Sequence, residues 1–378
     1  MSNYKVEFTL KQHTPIIHFQ SEQNGATLRA TELKPKFDRF LLANVKDLPF
    51  RKNASGELSL DYKVKILAKP TNNIEIDQRD PLFFGNMKPK DMSEEEYKRK
   101  KKFFIQNEFI EIEFLSFVPE VKISIEKYFE AFLALTNFGT RQSKGYGSFY
   151  LTKTFDATLI PYKIYSFNTT NWKEDIKLLY SFLRQGINIP KGRDLPSRFY
   201  SKPAIFTYAI KNKWTWDKKA IKQHFFPNEL QTQKNKYDVN SPVNFSGEKI
   251  YLLRDLFGLS SEQTWMSYSN ANIKKEDKEN DDKIKIDRFK SPITFKIVDN
   301  KVYFWADKSV EKISNKSFKV STRGNKPLDL STPKEFSFDA FFEYVKTIDL
   351  KQHIDSKYQK ESEFRTLLRI LNDIKASK

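Results

Sequence analysis

Three of the chain's 11 glycines fall inside one short stretch, Gly139-Thr140-Arg141-Gln142-Ser143-Lys144-Gly145-Tyr146-Gly147-Ser148. Glycine loses more conformational freedom on folding than any other residue. Such clustering therefore marks backbone that must take positive φ or pass very close to something else. The flanking sequence fixes where it lies. Val121 to Asn137 carries Ile125, Phe129, Phe132, Leu133 and Thr136 along one helical face, and Phe149 to Phe155 reads as a strand. The cluster is a helix-to-strand connection. Such a loop can offer consecutive N–H groups to phosphate oxygens, with Arg141 and Lys144 adding charge and Tyr146 a stacking face. It can also be a tight joint, for which one glycine would be enough.

The elements before the loop follow a regular order. Tyr4, Val6, Phe8 and Leu10 alternate with Lys5, Glu7 and Thr9, the pattern of a half-buried strand. A polar loop leads to Lys34-Pro35-Lys36-Phe37, where Pro35 suits the first turn of a helix. Phe37, Phe40, Leu41 and Val45 then recur at helical spacing. Strand patterns over 59–69 and 108–117 flank a charged helix over 94–102, an exposed insertion whose Glu94–Lys98, Glu95–Arg99 and Glu96–Lys100 pairs are favourably oriented. Residues 1–160 thus read β-α-β-β-α-β, the ferredoxin-like or RRM-like order. Residues 161–378 read as a second, divergent RRM-like domain. It has helices over 173–185, 338–345 and 363–374, a strand over 205–210 and a hairpin over 291–305 turning at Asp299-Asn300. Residues 270–283, polar and of mixed charge, are expected to be a mobile loop. The expected class is α+β, two such domains with helical and loop insertions.

Composition narrows the chemistry. With 66 basic against 48 acidic residues the net charge is +18, which favours an anionic partner, nucleic acid being the commonest. The chain is also rich in Asn, Ile and Phe, and compositional drift of that kind could supply part of the surplus. Cysteine is absent, removing disulfides, thiolate zinc sites and cysteine nucleophiles. The four histidines, His13, His18, His224 and His353, show no helical ligand spacing, so neither metal nor cofactor is expected. No apolar run approaches the ~18 residues of a membrane span, and the first residues lack a signal-peptide core. The expectation is a cytoplasmic protein with no membrane and no small-molecule substrate.

The stretch GTRQSKGYGS resembles the glycine-rich loop of the CRISPR RAMP superfamily, which joins the second helix to the fourth strand of an RRM-like domain. Thr14-Pro15-Ile16-Ile17, followed by Leu28-Arg29-Ala30-Thr31-Glu32-Leu33-Lys34, is similar to the superfamily's opening pattern. Asp287-Arg288-Phe289-Lys290-Ser291-Pro292-Ile293 is similar to an R-x-x-S-P segment in the first-subunit type of the type III-B (Cmr) module. Two positions depart from the pattern: Pro35 replaces a glycine, and Asp38 stands where arginine is common, with Arg39 one position later.

The resemblance implies a non-catalytic RNA-binding subunit of an antiviral type III effector complex. Its partners would be other RAMP subunits, the crRNA 3′ region and target RNA. The expected RNA contacts are Arg29, Lys34, Gly139, Arg141, Lys144, Gly145, Tyr146, Gly147 and Ser148, with Arg198 and Arg288 in the second domain. Recognition would run through phosphates rather than base edges. One rival is a metal-independent endoribonuclease processing pre-crRNA, with His18 or His13 as acid–base. The other is an assembly protein that binds only neighbouring subunits.

Overall fold

The computed structural model describes residues 4–17, 27–52, 56–68, 72–76, 92–96, 103–192, 196–229, 249–265, 270–279 and 285–377. The chain forms two compact units, one made of residues 1–174 with 294–305, the other of 175–293 with 306–378. The division falls inside the helix Trp172–Arg184, and a late hairpin returns to the first unit.

In the first unit, β1 (Lys5–Gln12), β2 (Lys63–Leu67), β3 (Phe109–Leu115) and β4 (Phe149–Leu151) make one antiparallel sheet in the order β2-β3-β1-β4. Helices α1 (Ala30–Asn44) and α2 (Pro119–Leu135) alternate with them along the chain. Alternation sets which face is buried: Val6 and Leu10 of β1 and Ile110, Ile112 and Phe114 of β3 point inward. Phenylalanine fills the space between sheet and helices. The Phe37 ring lies 4.8 Å from Phe132 and 5.3 Å from Phe129, and Phe129 meets Phe114 edge-on at 4.9 Å.

Three local expectations change. Helix α1 starts at Ala30, so Pro35 sits inside it; the bond its missing N–H forgoes is one that Thr31 would have accepted. The strand expected over 59–69 is broken into Leu58–Leu60, which pairs with Phe50–Lys52, and β2. The last strand is shorter than expected and ends at Leu151. Of the charged helix expected over 94–102, residues 97–102 lie outside the described residues. A second sheet of this unit joins β5 (Tyr165–Asn168) to the hairpin β6 (Ile293–Val298) and β7 (Lys301–Ala306), in the order β6-β7-β5. That hairpin turns at Asp299-Asn300, as its sequence indicates.

The second unit is built on a six-stranded sheet in place of the four-stranded RRM order expected there. It runs Trp214–Trp216, Lys249–Tyr251, Leu328–Ser331, Ser317–Ser321, Ala271–Asp277 and Glu262–Trp265 from edge to edge. The first two pairings are parallel and the rest antiparallel. Ala271–Asp277 falls within the expected mobile loop yet is an inner strand. Its inward Lys275 reaches buried Asp255 at 2.5 Å, so the charge is paired rather than stranded. The strand expected over 205–210 lies instead in the helix Ala204–Lys211, which follows Pro203. The helices at Phe338–Thr347 and Ser362–Ala376 follow their sequence periodicity. Among the described residues no helix is long and apolar enough to cross a membrane.

Candidate nucleic-acid interface

The glycine-rich loop is closed at its base by an antiparallel bridge between Asn137 and Ser148, with the Phe138 N–H donating to the Gly147 carbonyl at 2.9 Å. Two turns follow inside it: the Lys144 N–H donates to the Arg141 carbonyl at 2.8 Å and the Gly145 N–H to the Gln142 carbonyl at 3.0 Å. Positive φ occurs at Gly139 (75°), Arg141 (56°), Gly145 (87°) and Gly147 (65°).

Two chain segments hold this loop from either side. On one, the Thr140 and Gly147 N–H groups donate to the Ile17 and Pro15 carbonyls, each at 2.8 Å. The Thr14 hydroxyl accepts from the Ser148 N–H at 2.8 Å and donates to the Gly145 carbonyl at 2.6 Å. This gives the Thr14-Pro15 pair a structural task. On the other side lies β6. Asn137 Nδ2 donates to the Phe295 carbonyl at 2.8 Å, the Phe295 N–H to the Ser143 carbonyl at 3.2 Å, and the Ser148 hydroxyl to the Ile297 carbonyl at 2.6 Å. Between these, the buried Lys296 ammonium donates to the Thr136 and Phe149 carbonyls, both at 2.9 Å. Burial drives the Lys296 amine well below the ordinary lysine value. The connection is thus riveted to a strand 149 residues further along the chain.

This geometry corrects the expected row of open N–H groups. The N–H groups of Gly139, Thr140, Lys144, Gly145, Gly147 and Ser148 all donate within the unit. The glycines answer to close packing. A Cβ on Gly139 would come within 2.5 Å of the Ile17 carbonyl oxygen, and one on Gly147 would overlap the Phe138 carbonyl oxygen outright.

The expected contact residues separate accordingly. Arg141 stands exposed on the turn, and Lys144 is half-buried with its ammonium 5.9 Å from the Phe295 ring. Tyr146 is fully buried, stacked on Phe104 at 5.4 Å and edge-on to Trp172 at 4.9 Å, so its ring faces the core rather than a base. Ser148 is buried as well. Lys34 directs its ammonium inward, donating to Asp38 at 2.8 Å, Ser59 at 3.2 Å and the Leu60 carbonyl at 2.8 Å. These three bonds use all three of its donors. Asp38, where the superfamily pattern has arginine, is the buried partner of that pair. Arg29 is the N-cap residue of α1, its carbonyl accepting from Glu32 and Leu33. In the second unit, Arg198 is clamped between Glu361, at 2.6 Å, and Glu363, which cancels its charge locally. Arg288 is exposed in the short strand Arg288–Phe289.

Of the two candidate acid–base histidines, His18 lies outside the described residues. The His13 side chain is buried, its Nδ1 accepting the Asp299 N–H at 3.0 Å, and burial lowers its pKa to about 4. It is neutral near pH 7.

Two residues beside the loop carry no signal strong enough for sequence reasoning. Glu32, in the first turn of α1, sends its carboxylate to the Gly139 N–H, at 2.9 and 3.1 Å. Lys296 is the one charged residue of its strand, which is a hint, but its partners are set only by the fold.

A family model described as the Cmr1 N-terminal domain matches residues 3–187, and one described as the Cmr1 C-terminal domain matches residues 200–376. Among solved structures, the chain is similar to the crystal structure of Cmr1 from Pyrococcus furiosus in its apo form. The match has 10% identity over 86% of this chain and 90% of that one, with a TM-score of 0.28. No curated protein matches the chain.

Proposed function

Because the chain belongs to the Cmr1 family, and so is a RAMP subunit of the type III-B effector complex, we propose that it binds RNA there without cutting it. Its ligands are the crRNA 3′ region and target RNA, held by their phosphates next to other Cmr subunits. The observation that carries this reading is the match of both family domains, in order, along nearly the whole chain.

Three features support it. The net charge of +18 supplies attraction to a polyanion. Arg141 stands exposed on a turn whose backbone Ile17, Pro15 and β6 hold in place, so no backbone ordering is needed when it meets a phosphate. Against the endoribonuclease reading, His13 is neutral near pH 7, and its Nδ1 is engaged by the backbone of Asp299. A general acid needs its proton at the operating pH.

The test is incubation of the purified chain with labelled repeat RNA and with generic single-stranded RNA, with and without divalent metal. Both RNAs are expected to be retained on the protein and recovered intact. Cleavage at a defined position, abolished by His18→Ala with the fold preserved, would overturn the non-catalytic reading. Binding no stronger than that of an unrelated protein of equal charge would favour an assembly role.

A further inference from the structure

The entrance of the glycine-rich loop is already occupied by an anion, and that anion is part of the protein. Both Glu32 carboxylate oxygens face the Gly139 N–H, at 2.9 and 3.1 Å. Oε1 also receives the Lys36 ammonium at 2.6 Å and the Gln142 side-chain amide at 3.3 Å. The carboxylate further lies in the first turn of α1, where the helix favours negative charge. These donors belong to a backbone amide, a carboxamide and an ammonium, and a phosphate oxygen suits them as well as a carboxylate does.

The seat does not depend on Glu32 for its shape. Gly139 keeps its conformation through the Thr140 bond to Ile17, and Gln142 is held by its own side-chain bond to the Gly139 carbonyl at 2.5 Å and by the Asn137 side chain on its carbonyl at 2.7 Å. Glu32 and Lys36 are only 20% and 21% exposed, enough for exchange with solvent but not for an open charge. Arg141 stands exposed two residues beyond the amide that Glu32 binds.

We propose that this seat is a site for a single RNA backbone phosphate, which Glu32 fills when RNA is absent, so that RNA docking exchanges one anion for another. The proposal rests on the RNA-binding reading above. It makes Glu32 an internal competitor that keeps the loop's remaining donors satisfied and sets a threshold for RNA entry.

The test uses the full chain labelled with 15N-glycine and an oligouridylate as probe. The Gly139 amide resonance is expected to shift and to saturate together with binding measured by fluorescence anisotropy. Glu32→Gln is expected to tighten binding roughly three- to tenfold, because the competent state no longer shares its seat. Glu126→Gln, the same charge change on the exposed side of α2, serves as the control and is expected to change affinity less than about twofold. Inorganic phosphate alone should move Gly139 in the Glu32→Gln variant but not in the wild type. A Gly139 amide that stays still at saturating RNA would overturn the proposal, as would a Glu32→Gln affinity equal to that of Glu126→Gln. The first readout needs no variant, so it stands even where Glu32→Gln folds poorly. RNA binding with a stationary Gly139 defeats only this exchange, whereas no RNA binding at all defeats the reading beneath it too.

Discussion

Gly147→Ala is expected to destabilise the first unit by roughly 2–6 kcal/mol, combining positive-φ strain with a main-chain overlap of ~1–3 kcal/mol each. The position has φ of 65°, and an added Cβ would overlap the Phe138 carbonyl oxygen, an atom fixed because its own amide closes the loop. A domain of ordinary stability has ~5–15 kcal/mol to lose, so the variant should be marginal. Gly324→Ala isolates the conformational part, since φ there is 80° and nothing lies within 4 Å of the added carbon. It should cost about 1–2 kcal/mol. Denaturant unfolding of the two variants decides the matter, and equal losses would show that close packing is not what the glycine serves.

Lys296→Ala is the second large effect. Truncation removes a fully buried stem and leaves the Thr136 and Phe149 carbonyls without their donor, for a loss of roughly 3–6 kcal/mol. Its pH dependence has a definite sign. Burial holds the folded pKa of Lys296 well below 10.5, so between that depressed value and 10.5 the unfolded chain binds more protons than the folded one. Wild-type stability therefore gains from this group as pH rises through that window, and the alanine variant lacks the gain. The stability gap between the two should widen with pH up to about 10.5. Parallel curves would mean that the ammonium stays charged in the folded state.

The frame of the first unit was legible because its signals are local. Alternation over Tyr4–Leu10 and the apolar stripe from Ile125 to Leu133 each declare an element without help from elsewhere. The glycine cluster was legible as unusual backbone, but its purpose was not. The Ile17 and Phe138 carbonyls that forbid a Cβ there are tertiary neighbours, and β6, which holds the loop from the other side, lies 149 residues away. Tyr146 shows the same limit. Its ring suits a base or a core, and only the position of Phe104 and Trp172 decides between them. Lys34 looked like a phosphate ligand until Asp38, one turn along, turned out to be its buried partner. In the second unit, Ala271–Asp277 hid a strand behind polar composition. Lys275 can face inward there because Asp255 is waiting for it. Ala204–Lys211 failed for another reason: a short apolar run fits helix and strand alike.

Glycine variants of this loop report first on the fold, so the RNA claim is best tested where the structure leaves a charged side chain exposed. Within the loop that residue is Arg141. The most direct measurement is the affinity of wild type and Arg141→Ala for two single-stranded RNAs of unrelated sequence, taken across a salt series. Loss of one phosphate contact predicts weaker binding to both RNAs by a similar factor and a log–log salt slope shallower by about 0.7. Superimposable slopes and affinities for the two proteins would contradict the account, because the exposed cation of the glycine-rich loop would then hold no phosphate.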